Sequence, residues 1–396
     1  MNGIATVFGE GFLINNIANP NLTWETAIQK DAGVDFSLLN NRIDASFDYF
    51  DKTSNHFLFQ QPLPYYLVGG PDGYGSDFGT IAPPFINAGQ IENKGFEFSI
   101  TSRNIATKNF KWSTTLTFSH YANKVTSLDG VPALYGNINL SYNSLVATKT
   151  VVGYPEGEFF GYQVQGVVKT PAQLAYLSTH PQNVTGTAQV VTNDPNVSNS
   201  IWLGDLEYKS NQPSGDVDVN SQVPLGSPNP DFTYGFTNNF SYKDFDLSLF
   251  FYGSYGGKIL DALEYETAGL GSLYTNQLAS TANYWTPQNP NSNIPAPRVG
   301  ITNPNLVMSD RFLESASYLR LQNARLGYNL PSRWAKYIAM SGLKVFVSGQ
   351  NIFVITKYPG LDPEVGSFNQ NPLLQNIDVG RYPSPRVVTL GVNAQF

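Results

Sequence analysis

The sequence predicts an all-β protein, a transmembrane antiparallel β-barrel wall, on three observations. Apolar and polar residues alternate with period 2 in tract after tract, as strands with one apolar and one polar face require. The connections between tracts alternate between short and long, the rhythm of a barrel with tight turns on one side and long loops on the other. Only 13% of residues are charged, against about 25% in an ordinary soluble domain, while 14% are aromatic.

Taken in order, the expected strands are Trp24–Leu38, Arg42–Phe57, Gln90–Arg103, Phe110–Asn123, Asn143–Val152, Gly157–Val168, Asp231–Tyr242, Asp244–Gly256, Ser317–Leu330, Gly342–Val354 and Pro385–Phe396. The pattern is clearest where Ile43, Ala45, Phe47 and Tyr49 oppose Asp44, Ser46 and Asp48. It is as clear where Phe232, Tyr234, Phe236, Phe240 and Tyr242 oppose Thr233, Thr237, Asn239 and Ser241. The short connections are Leu39–Asn41, Asn104–Asn109, Gly153–Glu156, Lys243 and Pro331–Ser341, the last with a helical turn around Trp334–Ile338. The long ones are Leu58–Gly89, Lys124–Tyr142, Lys169–Pro230, Gly257–Ala316 and Ile355–Ser384, rich in Asn, Gly, Pro, Ser and Tyr and expected to fold over one another.

About eleven strands is half of the roughly 22 in large plugged transporters, and complete bacterial barrels have even counts. The expectation is therefore that residues 1–396 form the C-terminal part of a larger barrel, with the signal peptide absent. No run of apolar residues is long enough for a membrane helix, which leaves strands as the spanning elements. The net charge of −7 and the lack of any basic run argue against nucleic acid. With no cysteine there is no disulfide and no thiolate site.

The end of the chain, Thr389 to Phe396, resembles the signal read by the barrel-assembly machinery. Thr389, Gly391, Ala394 and Phe396 lie in a last strand that offers an apolar face and a free edge for strand addition. Further stretches carry a wider likeness: Asn19-Pro-Asn-Leu-Thr-Trp-Glu25, Ile91-Glu-Asn-Lys-Gly-Phe-Glu97, Gly153-Tyr-Pro-Glu-Gly-Glu-Phe-Phe-Gly-Tyr162, Gly226-Ser-Pro-Asn-Pro-Asp-Phe-Thr-Tyr-Gly-Phe236, Tyr284-Trp-Thr-Pro287, Ser317-Tyr-Leu-Arg-Leu-Gln-Asn323 and Gly349-Gln-Asn-Ile-Phe353. In this order the chain resembles the C-terminal portion of SusC/RagA-type TonB-dependent outer-membrane transporters. That resemblance implies uptake of oligosaccharides or peptides through a plugged barrel, and it implies that the plug and the TonB-contacting segment of such transporters are absent from residues 1–396. It implies a SusD-like surface lipoprotein as partner, the TonB complex as energy source, and membrane lipid around the wall.

Loop aromatics suit sugars, whose ring faces are apolar and whose hydroxyls want fixed polar partners. Tyr65, Tyr66, Tyr135, Trp202, Tyr284 and Trp285 are the candidate substrate contacts on this ground. Trp24 and Trp112, at strand beginnings, suit an interfacial girdle or packing instead. The stretch Asn211–Asp218 has too few regularly spaced oxygens for a calcium loop and reads as a solvated turn. Asp31, Asp35, Asp44 and Asp48 are expected on the polar face of one hairpin, as part of a water-lined wall rather than an acid–base pair. His56, His120 and His180 fall in unrelated contexts, and no phosphate loop, metal cluster or cofactor motif is seen. The competing classes are a small outer-membrane barrel enzyme, which needs an even strand count and a catalytic group, and a soluble glycan-binding β-protein, which leaves the loop rhythm unexplained.

Overall fold

The computed structural model describes residues 18–60, 84–87, 89–140, 144–194, 197, 199–271, 274–299, 303–337 and 340–396. Nine antiparallel strands form one continuous sheet in chain order. They are β1 (Thr26–Leu38), β2 (Ile43–Asn55), β3 (Gln90–Ala106), β4 (Phe110–Ser127), β5 (Phe232–Tyr242), β6 (Phe245–Tyr255), β7 (Tyr318–Asn329), β8 (Gly342–Thr356) and β9 (Val387–Gln395). No helix among the described residues is long and apolar enough to cross a membrane, which says nothing of strands.

The register turns the alternation of single strands into layers. One row across the sheet runs Phe36, Ala45, Ile100, Leu116, Phe236, Phe251, Leu321, Phe353 and is apolar throughout. The adjacent row runs Ser37, Asp44, Thr101, Thr115, Thr237, Phe250, Asn323, Gln350 and is polar at all but one position. Because side chains alternate between faces, these rows lie on opposite sides of the sheet. The apolar face stays uncovered, with Phe47, Leu116, Phe236, Leu326, Val347 and Phe353 all exposed. In water such a surface would be costly, at about 25 cal/mol per Å² of apolar area; against lipid it is the expected face.

Two aromatic bands bound that face. The rings of Phe47, Phe96, Phe118, Phe232 and Tyr255 follow one another across five strands with centroids 5.0–6.0 Å apart, climbing from the middle of the wall to the long-loop ends at Phe232 and Tyr255. At the short-turn ends, Trp112 stacks on Phe240 at 5.7 Å and Phe245 meets Tyr328 at 4.5 Å. The eleven residues of β5 connect the two bands. Ten steps of about 3.4 Å, tilted about 45°, rise about 24 Å, the height of an outer-membrane apolar belt.

Nine of the eleven expected strands are in the wall. The other two, Asn143–Val152 and Gly157–Val168, are not. They fold as Ser144–Thr150, Phe159–Gly161 and Val164–Val167 within the connection between β4 and β5, pairing with Leu134–Asn139, Val223–Gly226 and Leu206–Tyr208. Their alternation is real, but it buries Leu145, Ala147 and Phe159 in a core outside the wall rather than facing lipid. The tight turn at Gly153–Glu156 returns the chain to β4, where Val125 exchanges backbone hydrogen bonds of 2.9 Å with Gly153 and Tyr154. The short–long rhythm persists with this correction, the long connections now being 56–89, 128–231, 256–317 and 357–386. The expected helical turn after β7 is Ser332–Tyr337.

Candidate functional site

Two features meet at the long-loop end: the polar face of the wall, and a body built by the loops above it. On the polar face, β1 and β2 place Asp31, Asp35, Asp44 and Asp48 on one side, as their register requires. Asp44 is held by Arg103 at 3.0 Å and by the Ser37 hydroxyl at 2.7 Å. Across the sheet the same face turns basic, with Arg320, Arg325 and Lys344, the last paired to Asp246 at 2.5 Å. Arg325 lies over the Phe346 ring at 4.2 Å, and that ring covers Gly391 on β9. A Cβ at Gly391 would meet Phe346 at 2.2 Å, so the glycine of the terminal motif is the seat of an aromatic ring.

Three long connections share one core. Ile138, Leu145 and Phe159 from the first, Leu260, Tyr265, Phe312 and Leu313 from the second, and Leu374 and Ile377 from the third pack together. The loops therefore fold over one another, as expected from their composition. Polar clasps add to this. Asp205 pairs with Arg298 at 2.6 Å and accepts from Asn305 at 3.0 Å, while Arg298 also reaches the Ser200 hydroxyl. Burial pushes the Asp205 carboxyl above its ordinary range, against the pull of Arg298. Tyr208 donates to the Pro304 carbonyl at 2.6 Å, and Tyr358 to Asp378 at 2.6 Å; burial raises both phenols.

The third connection is clasped to the wall itself. Arg320 of β7 is 3% exposed and meets Asp362 at 2.5 Å and Glu364 at 3.3 Å, and the Tyr318 hydroxyl donates to Glu364 at 2.7 Å. Beside this clasp, where β5, β6, β7 and β8 run into the loops, a cavity of about 700 Å³ is lined by Asp231, Tyr234, Tyr255, Lys258, Tyr318 and Lys357 among others. The motif Ser317 to Asn323 was singled out in the sequence without a role for Arg320. The signal available was a charged residue between two leucines on the inward-facing side of a strand.

The candidate contacts are spread over the loop body. Tyr135 is exposed on Leu134–Asn139 with the Lys149 ammonium 6.0 Å from its ring. Trp202 is exposed at a turn that its backbone N–H closes onto Asp205. Tyr284 is half-buried, and its neighbour Trp285 is 6% exposed, packed with Tyr162, Leu206 and Tyr208. Tyr65 and Tyr66 lie outside the described residues. Asp218, in the stretch weighed as a calcium loop, caps the turn Val219–Ser221 and accepts from Gln212 at 2.9 Å. In the terminal strand, Val388, Leu390 and Val392 are exposed on the apolar face beside Ala394, and Phe396 is exposed at the end.

The comparisons with known proteins agree with this geometry. The family described as "TonB dependent receptor-like, beta-barrel" matches residues 2–200. The chain is 35% identical over 393 residues to TonB-dependent receptor P3 of Formosa agariphila, covering 98% of this chain and 36% of that protein. It is 28% identical over 390 residues to the TonB-dependent receptor SusC of Bacteroides thetaiotaomicron, covering 96% of this chain and 32% of that one. Among solved structures, that of the RagAB peptide transporter superposes with a TM-score of 0.71 at 22% identity, covering 96% of this chain and 36% of that one. The chain thus spans about a third of the length of the relatives it matches.

Proposed function

Because this chain belongs to the TonB-dependent receptor β-barrel family of the outer membrane, we propose that it supplies nine strands of a barrel wall and most of the loop body of an importer for oligosaccharides. The observation that carries this is the two-faced sheet: an apolar belt about 24 Å high between aromatic bands, backed by a polar face that opens beneath clasped loops. Both edge strands, β1 and β9, lack a second partner among the described residues, so the barrel closes by pairing them with further strands.

In this account a ligand is captured between the loop body and a SusD-like surface lipoprotein. It then passes along the polar face when TonB moves a plug. Tyr135, Trp202 and Tyr284 supply ring faces to the ligand, while Trp285 packs in the loop core with Tyr162, Leu206 and Tyr208. The edge of β9, with Thr389, Gly391, Ala394 and Phe396, is what the barrel-assembly machinery takes up by strand addition. Peptides are the competing ligand class, and one experiment separates the two. Cells lacking the gene are compared with parental cells for uptake of a labelled oligosaccharide mixture and a labelled peptide mixture, each with and without an uncoupler. The proposal expects energy-dependent loss of oligosaccharide uptake in the deletion strain. Loss of peptide uptake alone reassigns the ligand, and unchanged uptake of both refutes import.

A further inference from the structure

The loop body contains a second concavity, away from the wall, of about 660 Å³. It lies between helix α1 (Pro171–Thr179) and the strand Leu206–Tyr208, and its size is that of a small-molecule pocket. On one side Tyr176 and His180, one helical turn apart, stack face to face with centroids 4.1 Å apart and planes inclined by 8°. Opposite them Glu207 is only 6% exposed. Its partners are uncharged: Gln173 Nε2 donates to one carboxylate oxygen at 2.9 Å and Gln165 Nε2 to the other at 3.3 Å. Lys209 stands on the rim.

Gly215 brings the chain close against the edges of the two rings. Its φ is +84°, and a Cβ there would lie 2.7 Å from His180 Cδ2 and 2.8 Å from the Tyr176 hydroxyl. Only glycine allows that approach.

We infer that this pocket is a saccharide subsite, in which a neutral sugar ring lies against the outer face of the Tyr176–His180 stack and hydrogen-bonds Glu207 and its flanking amides. The outer ring face of such a stack offers an apolar surface to the C–H face of a pyranose. The carboxylate, with about four acceptor positions and two amide donors on it, still has lone pairs for hydroxyl donors. With both oxygens already held by uncharged amides, the acceptor positions left on Glu207 match the hydroxyls of an uncharged polyol. The inference deepens the import function and rests on it for the ligand class, although binding here needs no transport.

The chain has three histidines, His56, His120 and His180, so a histidine-labelled sample of the full chain in detergent micelles gives few ring signals, and His180→Gln assigns the one at the site. The probes are maltohexaose, cellohexaose and mannohexaose, with a decapeptide pool as the control, each raised to about 10 mM, tenfold above a millimolar Kd. The expected result is that at least one hexasaccharide moves the His180 signal, and that Tyr176→Ala weakens this about tenfold while Tyr154→Ala leaves it unchanged. A silent His180 signal, a response unaltered in Tyr176→Ala, or a response to the peptide pool alone overturns the subsite. Cellular uptake is read separately, so a silent pocket with intact oligosaccharide uptake removes the subsite and leaves import standing.

Discussion

Arg320 is the residue on which wall and loops depend together. Its guanidinium is buried against Asp362 and Glu364, and removing one member of such a pair strands the others without a partner. Arg320→Met is expected to cost about 3–5 kcal/mol locally, read as faster proteolysis or hydrogen exchange across 357–386 with the strands still protected. At Asp362 burial works to raise the carboxyl pKa, but the Ser384 and Glu364 N–H groups and Arg320 outweigh it, and the net direction is down. A depressed carboxylate stabilises above its unfolded pKa and loses that contribution as pH falls through the folded one. The clasp should therefore persist at pH 5 and open only below the ordinary carboxylate value of 3.8; opening of 357–386 already at pH 5 would contradict this. Glu158 behaves in the opposite sense. Desolvation raises it from 4.5 to about 7, against a hydrogen bond from the Gly226 backbone. Its contribution is full below pH 4.5 and is lost as pH rises through about 7. Glu158→Gln should thus leave the loop body less sensitive to protease than the parent at pH 8 and equal to it at pH 4.5, and equal sensitivity at pH 8 would count against the assignment. The sequence signals Arg320 as an inward charge but not its partners, which are about forty residues downstream, and the burial of Glu158 beside the Gly226 backbone leaves no local trace.

At the scale of elements, nine strands were legible because each must keep one face apolar over about ten residues, and period 2 shows this directly. The strands Asn143–Val152 and Gly157–Val168 carry the same period, and local sequence cannot tell an apolar face meant for lipid from one meant for a loop core. Helix α1 lay in a stretch read as loop, although Thr170, Pro171 and Gln173 announce it. The Thr170 hydroxyl accepts from the Gln173 N–H at 3.3 Å, the Gln173 side chain returns to the Thr170 N–H, and Pro171 opens the helix. The two faces of β5 give the element-scale prediction. Phe236→Lys places a charge on the lipid face at mid-belt and should cost about 2–4 kcal/mol of folding free energy in bilayers, whereas Thr237→Lys on the polar face should cost little. Urea titrations of the two variants in phosphatidylcholine bilayers read the difference, and equal costs would mean the two faces are not distinct.

For the whole molecule, composition and loop rhythm foretold a membrane wall with large outer loops. Loop composition also foretold that these loops fold over one another, but not which residues form the core that three of them share, since contacts between segments over a hundred residues apart leave no periodic trace. The central claim is that the row Ile100, Leu116, Phe236 faces lipid while the adjacent row Thr101, Thr115, Thr237 faces water. The chain has no cysteine, so single cysteines placed at these six positions report without background. The most direct test labels them in isolated outer membranes with a water-soluble maleimide and, separately, with a lipid-soluble one. The account predicts that the Thr101, Thr115 and Thr237 positions react with the water-soluble reagent, and that the Ile100, Leu116 and Phe236 positions react only with the lipid-soluble one. Equal labelling of both rows by the water-soluble reagent would contradict it and point to a β-protein that lies outside the membrane.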